Sequence, residues 1–151
     1  YSKDEAQISL RRVEDRPGVA AAIFGPLADA GVNVDMIVQN ISESGDATDM
    51  TFTVPAGDLG KATAILEKAK AEMRYDALQS ESGLTKVSVI GIGMRSHTGV
   101  AATAFKALAA RGINIKVITT SEIKISVLID RKYMELAVQA LHDAFELEKS
   151  A

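Results

Sequence analysis

The sequence has 151 residues, of which 47% are hydrophobic and 25% are charged, a length that fits one domain or two of about 70 to 80 residues each. The net charge of −3 argues against a basic surface of the kind that binds nucleic acid, and the absence of cysteine excludes disulfides and thiol chemistry. The apolar runs reach only strand length and no signal peptide is visible, so we expect a cytoplasmic protein without membrane contact.

The chain opens with a predicted strand, a tight loop and a helix. In residues 7–13, apolar Ile8 and Leu10 alternate with polar neighbours, as in a half-buried strand. Residues 14–18 combine Asp, Pro and Gly, which are typical of a tight turn. An apolar stripe at helical spacing then predicts a helix that ends at Gly31. The stripe consists of Val19, Ala22, Ile23 and Leu27.

The rest of this first repeat is predicted to contain two strands, a helix and a further strand. In residues 32–41, the valines and Met36 are expected to face the core and Gln39 the opposite side. The short polar connection that follows predicts an antiparallel hairpin. The predicted segments are strand 32–41, strand 49–54, a helix that follows Asp58, strand 75–79 and a linker over residues 80–85.

Residues 18–40 return 81 positions later as residues 99–121, with ten of 23 positions identical. Such an internal repeat indicates two copies of one small fold. We therefore predict an α+β protein with two ferredoxin-like βαββαβ domains, 1–81 and 82–151, each an antiparallel sheet with its helices on one face. The segments predicted for the second repeat are 86–92, 99–110, 113–120, 123–129 and a helix that follows Asp130.

The second repeat lacks a convincing last strand in its own sequence. After Phe145 only residues 146–151 remain, and they are mostly polar and few. A sheet edge that lacks its strand tends to recruit one. We therefore expect the N-terminal segment, Tyr1–Lys3 or residues upstream of it, to supply the final strand of the second domain.

No catalytic or metal-binding constellation is visible in the sequence, and no cofactor is expected. Gly91, Gly93 and Gly99 only faintly resemble a dinucleotide-binding turn, because their spacing is not G-x-G-x-x-G, and a tight turn is the better interpretation. His97 precedes a predicted helix and His142 lies within one. Neither has a nucleophile or a ligand cluster nearby in sequence, so a capping or surface role is favoured over catalysis.

The helix that follows Gly18 offers the most informative candidate site. A helix N-terminus presents free N–H groups and a positive dipole end to a carboxylate. Gly18 and Ala20 are small enough to leave room for its approach, and Asp15 could hold an ammonium group. These groups are complementary to a free amino acid, although a simple strand-to-helix turn remains an alternative from the residues alone.

Four segments together resemble the regulatory region of aspartokinase, which consists of tandem ACT domains. The segments are 15–18 (DRPG), 32–40 (VNVDMIVQN), 93–97 (GMRSH) and 120–126 (TSEIKIS). The resemblance covers essentially the whole chain. It implies a non-catalytic region that controls aspartate phosphorylation allosterically, and the kinase domain of the family, with its ATP and aspartate sites, is absent from this sequence.

The resemblance also implies which residues bind the effector, a free amino acid held between ACT domains. The contacts of the family fall on Asp15, Gly18, Ala20, Gln39, Asn114 and Ile115. Positions that tune feedback sensitivity fall on Ser42, Ser121 and Glu122. In the second repeat Thr120 occupies the position of Gln39 and residues 94–97 replace the D-x-P-G loop, which argues against a second equivalent site.

Three functions remain open at this point. The leading one is feedback inhibition of aspartokinase by threonine, the first choice, and/or lysine. The others are an ACT-type regulatory module of another enzyme of amino-acid metabolism, such as a dehydrogenase, and a small stand-alone enzyme. Ile37 and Ile118, on otherwise polar sheet faces, predict a homodimer in which sheets extend or stack across chains. The aspartokinase catalytic chain or domain is the other expected partner.

Overall fold

The structure, a computed structural model, describes residues 2–14, 17–41, 47–70, 74–90, 97–121 and 124–150. Contacts divide the chain into two compact units. The first unit is Asp4–Ser82, and the second unit combines Tyr1–Lys3 with Gly83–Ala151. Each unit is an antiparallel sheet with helices, which confirms the predicted α+β fold class of two ferredoxin-like domains.

The first unit has a four-stranded sheet with two helices. Its elements are most of β1 (Ser2–Glu14), α1 (Val19–Asp29), β2 (Asp35–Ile41), β3 (Ala47–Pro55), α2 (Leu59–Lys68) and the beginning of β4 (Ala77–Ile90). The hydrogen-bonded order is β2-β3-β1-β4. Because β3 is antiparallel to both β1 and β2, these two strands run in the same direction. Their C-terminal ends therefore lie at the same end of the sheet.

The core of the first unit lies between one face of this sheet and the two helices. The apolar stripe of α1 is buried as predicted, at Val19, Ile23 and Leu27. Burying a side chain of this size contributes roughly 1.5–3 kcal/mol. The rings of Phe24 and Phe52 meet edge to face at a centroid distance of 5.1 Å. Further core residues are Ala6, Ile8, Leu10, Met50, Val54, Ala62, Leu66 and Tyr75.

A β-bulge in β1 changes which of its side chains face this core. The register between β1 and β3 shifts between Leu10 and Val13, so Arg11 and Arg12 stand opposite the single residue Asp49. Leu10 and Val13 are both fully buried although they are three positions apart. Arg12 takes the left-handed conformation, with φ +56°, which lets the chain absorb the additional residue.

A second bulge, in β2, reverses part of the predicted alternation. The register shifts between Asp35 and Val38, after which Val38 pairs with Thr51 and Gln39 pairs with Met50. Directly paired residues of antiparallel strands project from the same face. Gln39 therefore shares the helix-covered face with Met50, and Val38 lies on the other face, so the prediction was wrong for both. The prediction assumed that side chains alternate between the two faces of the sheet along the whole strand, whereas the bulge interrupts this alternation.

The second unit repeats the arrangement with the remainder of β4. Its elements are α3 (His97–Ala110), β5 (Ile115–Thr120), β6 (Lys124–Asp130) and α4 (Met134–Ser150), and its strand order is β4-β6-β5. Asp130 caps the short 3₁₀ turn before α4, since its Oδ1 accepts a hydrogen bond from the Lys132 N–H at 3.1 Å. Ala137 and Leu141 of α4 are buried, whereas Val138 is 39% exposed.

Strand β4 is continuous over 14 residues, from Ala77 to Ile90. The linker predicted over residues 80–85 is therefore wrong, because these residues lie within the strand and Gly83 only takes a positive φ of 75° there. Strand β1 likewise begins at Ser2, earlier than the sequence indicated. Within the described ranges, no helix is both long and apolar enough to cross a membrane.

Candidate functional site

The N-terminus of α1 lies shortly after the end of β1. Gly18 is its N-cap, with φ +89° and ψ −5°, a left-handed conformation that glycine adopts readily. The Ala22 N–H donates to the Gly18 carbonyl at 3.0 Å. The N–H groups of Val19, Ala20 and Ala21 therefore precede the first hydrogen bond of the helix. A Cβ added at Gly18 would meet no heavy atom within 4 Å. The N–H groups at this positively polarised helix end are of the kind that can bind an anion.

Gln39 lies near the C-terminal end of β2, at the end of the sheet from which the chain leaves β1 towards α1. Across the sheet, Gln39 pairs with Met50 of β3, and Met50 pairs with Leu10 near the end of β1. The Gln39 side chain is exposed and on the helix-covered face. The structure thus brings Gly18, exposed Ala20 and Gln39 to one end of the first unit, on the side where its helices pack.

The other predicted site residues belong to the second unit or lie outside the described residues. Asn114 is exposed and directly precedes β5. Ile115 pairs with Ile129, is half-buried and packs against the core of the second unit. Ser121 is exposed, and its N–H donates to the Lys124 carbonyl at 2.7 Å. Outside the described residues are Asp15, Ser42 and Glu122.

A charged cluster that the sequence analysis did not identify surrounds the β1 bulge. Asp49 Oδ1 accepts a hydrogen bond from the backbone N–H of Arg12 at 2.9 Å, and Asp49 Oδ2 lies 3.2 Å from the Arg11 guanidinium. The Arg12 hydrogen bond, helped by Arg11, holds the pKa of Asp49 below its ordinary value. The spacing of three between Leu10 and Val13 is the sequence signal that could have indicated the bulge.

The same bulge also contacts β4 and the residue just before it. Arg11 Nε donates to Gln79 Oε1 at 2.9 Å, and the Asp76 N–H donates to the Arg11 carbonyl at 2.9 Å. Arg12 Nε lies 3.3 Å from Asp76 Oδ2, but both side chains are mostly exposed, so this ion pair adds little stability. The bulge is therefore held on one side by β3 and on the other by the start of β4.

The second unit differs at the equivalent positions. Thr120, the counterpart of Gln39, is exposed and pairs with Ile125. Lys124 occupies the position of Asp49 and pairs with Ile90. The register between β4 and β6 is regular over all described pairs, from Leu84 with Asp130 to Ile90 with Lys124. At the position of the Asp49 carboxylate, the second unit therefore has the lysine side chain of Lys124.

Metal and histidine chemistry have little support in the part of the chain that the structure describes. No group of three or more His, Cys, Asp or Glu side chains there is placed to hold a metal ion. His142 lies on α4 with an exposed side chain, 3.9 Å from Asp143. His97 is the first residue of α3, and its side chain lies outside the described residues.

Comparison with known proteins identifies both units. Residues 7–71 and residues 87–145 each match the ACT domain family. An aspartate kinase of Stutzerimonas stutzeri is 50% identical over all 151 residues, which make up 36% of that enzyme. In a crystal structure of aspartokinase alpha and beta subunits, one chain is 50% identical with a TM-score of 0.86, over 95% of this chain and 94% of that one.

A further solved structure extends the similarity to a regulatory subunit. The ligand-free regulatory subunit of aspartate kinase from Thermus thermophilus is 40% identical, with a TM-score of 0.84 over 95% of this chain and 93% of that subunit. The chain spans about a third of the length of the curated aspartate kinases that it matches. The two ACT domains account for most of its residues. The chain therefore belongs to the aspartokinase family, as its regulatory region.

Proposed function

We propose that this chain binds free threonine and/or lysine and transmits feedback inhibition to an aspartokinase catalytic chain or domain, in the aspartate pathway of amino-acid biosynthesis. One observation carries the proposal: the N-terminus of α1, capped by Gly18, and the exposed Gln39 lie at the same end of the first unit. The crystal structure with both aspartokinase subunits supports a catalytic partner. A cytoplasmic location remains a prediction.

Threonine is the first candidate because each of its groups has a complementary group in the chain. Its carboxylate would accept hydrogen bonds from the N–H groups after Gly18. Its ammonium would pair with Asp15, and its hydroxyl would pair with the Gln39 amide, which both donates and accepts. Asn114 and Ile115 of another ACT domain would close the site.

Closure of this site provides the link to the kinase. An effector that binds one arrangement of two ACT domains better than another shifts the equilibrium between them, with a typical coupling of about 1–3 kcal/mol. Three positions that follow β2 and β5 are proposed to tune this response. They are Ser42, Ser121 and Glu122.

Calorimetry of the 151-residue chain with each of the twenty amino acids tests the proposal. We expect threonine or lysine to bind. Gln39→Ala should weaken threonine binding roughly five- to a hundredfold, because a hydrogen-bond partner that becomes buried when the effector closes the site is worth about 1–3 kcal/mol. Asp15→Ala should have a similar effect. Thr120→Ala is the matched control from the second unit and should change little. If threonine binding is unaffected by Gln39→Ala, or is more sensitive to Thr120→Ala, the proposal has assigned the site to the wrong unit.

We also propose a homodimer formed through the sheet edges. In their units, β2 and β5 are edge strands, and each carries an exposed isoleucine, Ile37 at 50% and Ile118 at 44%. Unpaired strand edges with exposed apolar side chains favour association. Sedimentation at micromolar concentration should show a dimer with or without effector. A monomer under both conditions would contradict the proposal.

The domain boundaries remain a proposal of the same kind. We place the two ACT domains at 1–81 and 82–151 and infer that the N-terminal segment supplies the last strand of the second domain. The grouping of Tyr1–Lys3 with Gly83–Ala151 supports this assignment. Deletion of residues 1–3 should accelerate amide hydrogen exchange in β4 and β6 beyond residue 83. Acceleration confined to the first unit would contradict it.

A further inference from the structure

We propose that Asp49 is a positioning residue of the effector site. Its carboxylate fixes the β1 bulge and thereby sets how the chain enters the N-terminus of α1 and how the end of β2 lies beside it. This inference rests on the amino-acid site proposed above and adds to it a residue that does not contact the effector.

The bulge needs an external partner because its backbone conformation is unfavourable by itself. Arg12 has φ +56°, a left-handed conformation that residues with a side chain rarely adopt. Such conformations persist where the surrounding structure imposes them, and they are common next to functional sites. Here the Arg12 N–H donates to Asp49 Oδ1 at 2.9 Å, and Arg11 binds the other carboxylate oxygen at 3.2 Å. Asp49 therefore contacts both residues of the bulge from β3, while Asp76 and Gln79 contact it from the side of β4.

Asp49 also lies between the two parts of the site in the first unit. On one side it holds β1, which ends four residues before Gly18. On the other side it pairs with Asn40, the residue directly after Gln39. Thr48, the residue before Asp49, donates a hydrogen bond from its hydroxyl to the Asn40 carbonyl at 3.0 Å. Two successive residues of β3 therefore fix the strand ends from which the site is built.

The second unit provides an internal comparison that favours a role in the site over a role in the fold. Its sheet forms the same kind of strand pairing with Lys124 at the position of Asp49 and Ile90 opposite it, without a register shift over the described pairs. The ACT fold therefore does not require the carboxylate. In the first unit the bulge lies in the strand that leads to the D-x-P-G sequence.

The first experiment needs no effector. Amide NMR spectra of the 151-residue chain are compared with those of Asp49→Ala, Asp49→Asn and the control Lys124→Ala. We expect Asp49→Ala to shift the resonances of Gly18 and Gln39 and Lys124→Ala to leave them in place. Unchanged Gly18 and Gln39 resonances in a folded Asp49→Ala protein would overturn the proposal whether or not an amino acid binds. Asp49→Asn keeps an oxygen acceptor for the Arg12 N–H. It replaces Asp49→Ala in the same NMR comparison if the alanine variant does not fold.

The second experiment measures threonine and lysine binding by calorimetry. Asp49→Ala should weaken binding about five- to tenfold, the effect expected from one lost hydrogen bond, and Asp49→Asn should weaken it less. Adding Arg12→Gly to Asp49→Ala should restore much of the affinity, since glycine adopts φ +56° readily. Failure of this rescue, or parental affinity in Asp49→Ala, would contradict the positioning role. If the parent binds neither amino acid, the proposed effector is wrong and the NMR comparison alone decides the role of Asp49.

Discussion

Replacing Gly18 by alanine tests whether the conformation of this residue is required for stability and for binding. Gly18 and Gly31 both have positive φ values, +89° and +77°, and they flank α1 at opposite ends. At neither position would an added Cβ meet a heavy atom within 4 Å. Alanine therefore introduces backbone strain at both positions without a steric clash, and only Gly18 lies at the proposed site.

The expected loss of stability follows from two opposing terms. A left-handed conformation costs an L-residue roughly 1–2 kcal/mol. The smaller conformational freedom of alanine in the unfolded chain returns about 0.4–1 kcal/mol. We expect each variant to lose about 0.5–1.5 kcal/mol, which corresponds to a Tm lower by roughly 2–12 °C for a domain of about 80 residues. Gly60→Ala, at an exposed helical position without positive φ, is the control and should be neutral or stabilising by up to about 1 kcal/mol.

Urea titrations and threonine calorimetry on the same three variants separate stability from binding. Gly18→Ala and Gly31→Ala should lower the urea midpoint similarly. Only Gly18→Ala should also weaken threonine binding, by at least about fivefold, because this residue aims the first N–H groups of α1. The reasoning fails if Gly18→Ala leaves the urea midpoint unchanged, or if Gly31→Ala weakens binding as much as Gly18→Ala does.

Two side chains give further expected outcomes. Tyr75→Phe should lower the free energy of unfolding by about 1 kcal/mol, because the buried phenol donates to the Leu66 carbonyl at 3.0 Å; Tyr133→Phe, at a half-buried residue, is the urea-titration control and should change it by less than about 0.5 kcal/mol. Burial raises the pKa of Tyr75 in the folded protein. The contribution of this group to the free energy of unfolding is therefore complete below about pH 10 and is lost as the pH rises through the higher folded pKa. Tyr75→Phe should lack this loss of stability at alkaline pH. The Arg12 hydrogen bond lowers the pKa of Asp49, so its contribution is complete above about pH 4 and is lost as pH falls through the lower folded pKa. Urea midpoints measured at acid pH should show this loss of stability for the parent and not for Asp49→Asn. The loss stays below about 1 kcal/mol, because the Arg11–Asp49 pair is partly exposed.

Part of the candidate site could be predicted because its signals are local. The Pro-Gly pair before Val19 and the apolar stripe after it predicted a helix start, and α1 begins at Val19 with Gly18 as its N-cap. The face of Gln39 was predicted wrongly, since it depends on a bulge that only the pairing of β2 with β3 reveals. Asp49 was missed because its partner Arg12 is 37 positions away in the sequence.

The sequence alone determined the two-copy architecture and the buried stripe of α1. Both follow from patterns that repeat in the sequence or recur every three to four residues, such as Ile23 and Leu27, and a helix forms its hydrogen bonds within such a window. Only the tertiary structure decided the course of β4. The run Ser-Glu-Ser-Gly at residues 80–83 favours a loop locally, but the structure keeps it within one strand from Ala77 to Ile90. A strand takes its hydrogen bonds from segments remote in sequence, here β6 beyond residue 83, and these partners outweigh the local preference.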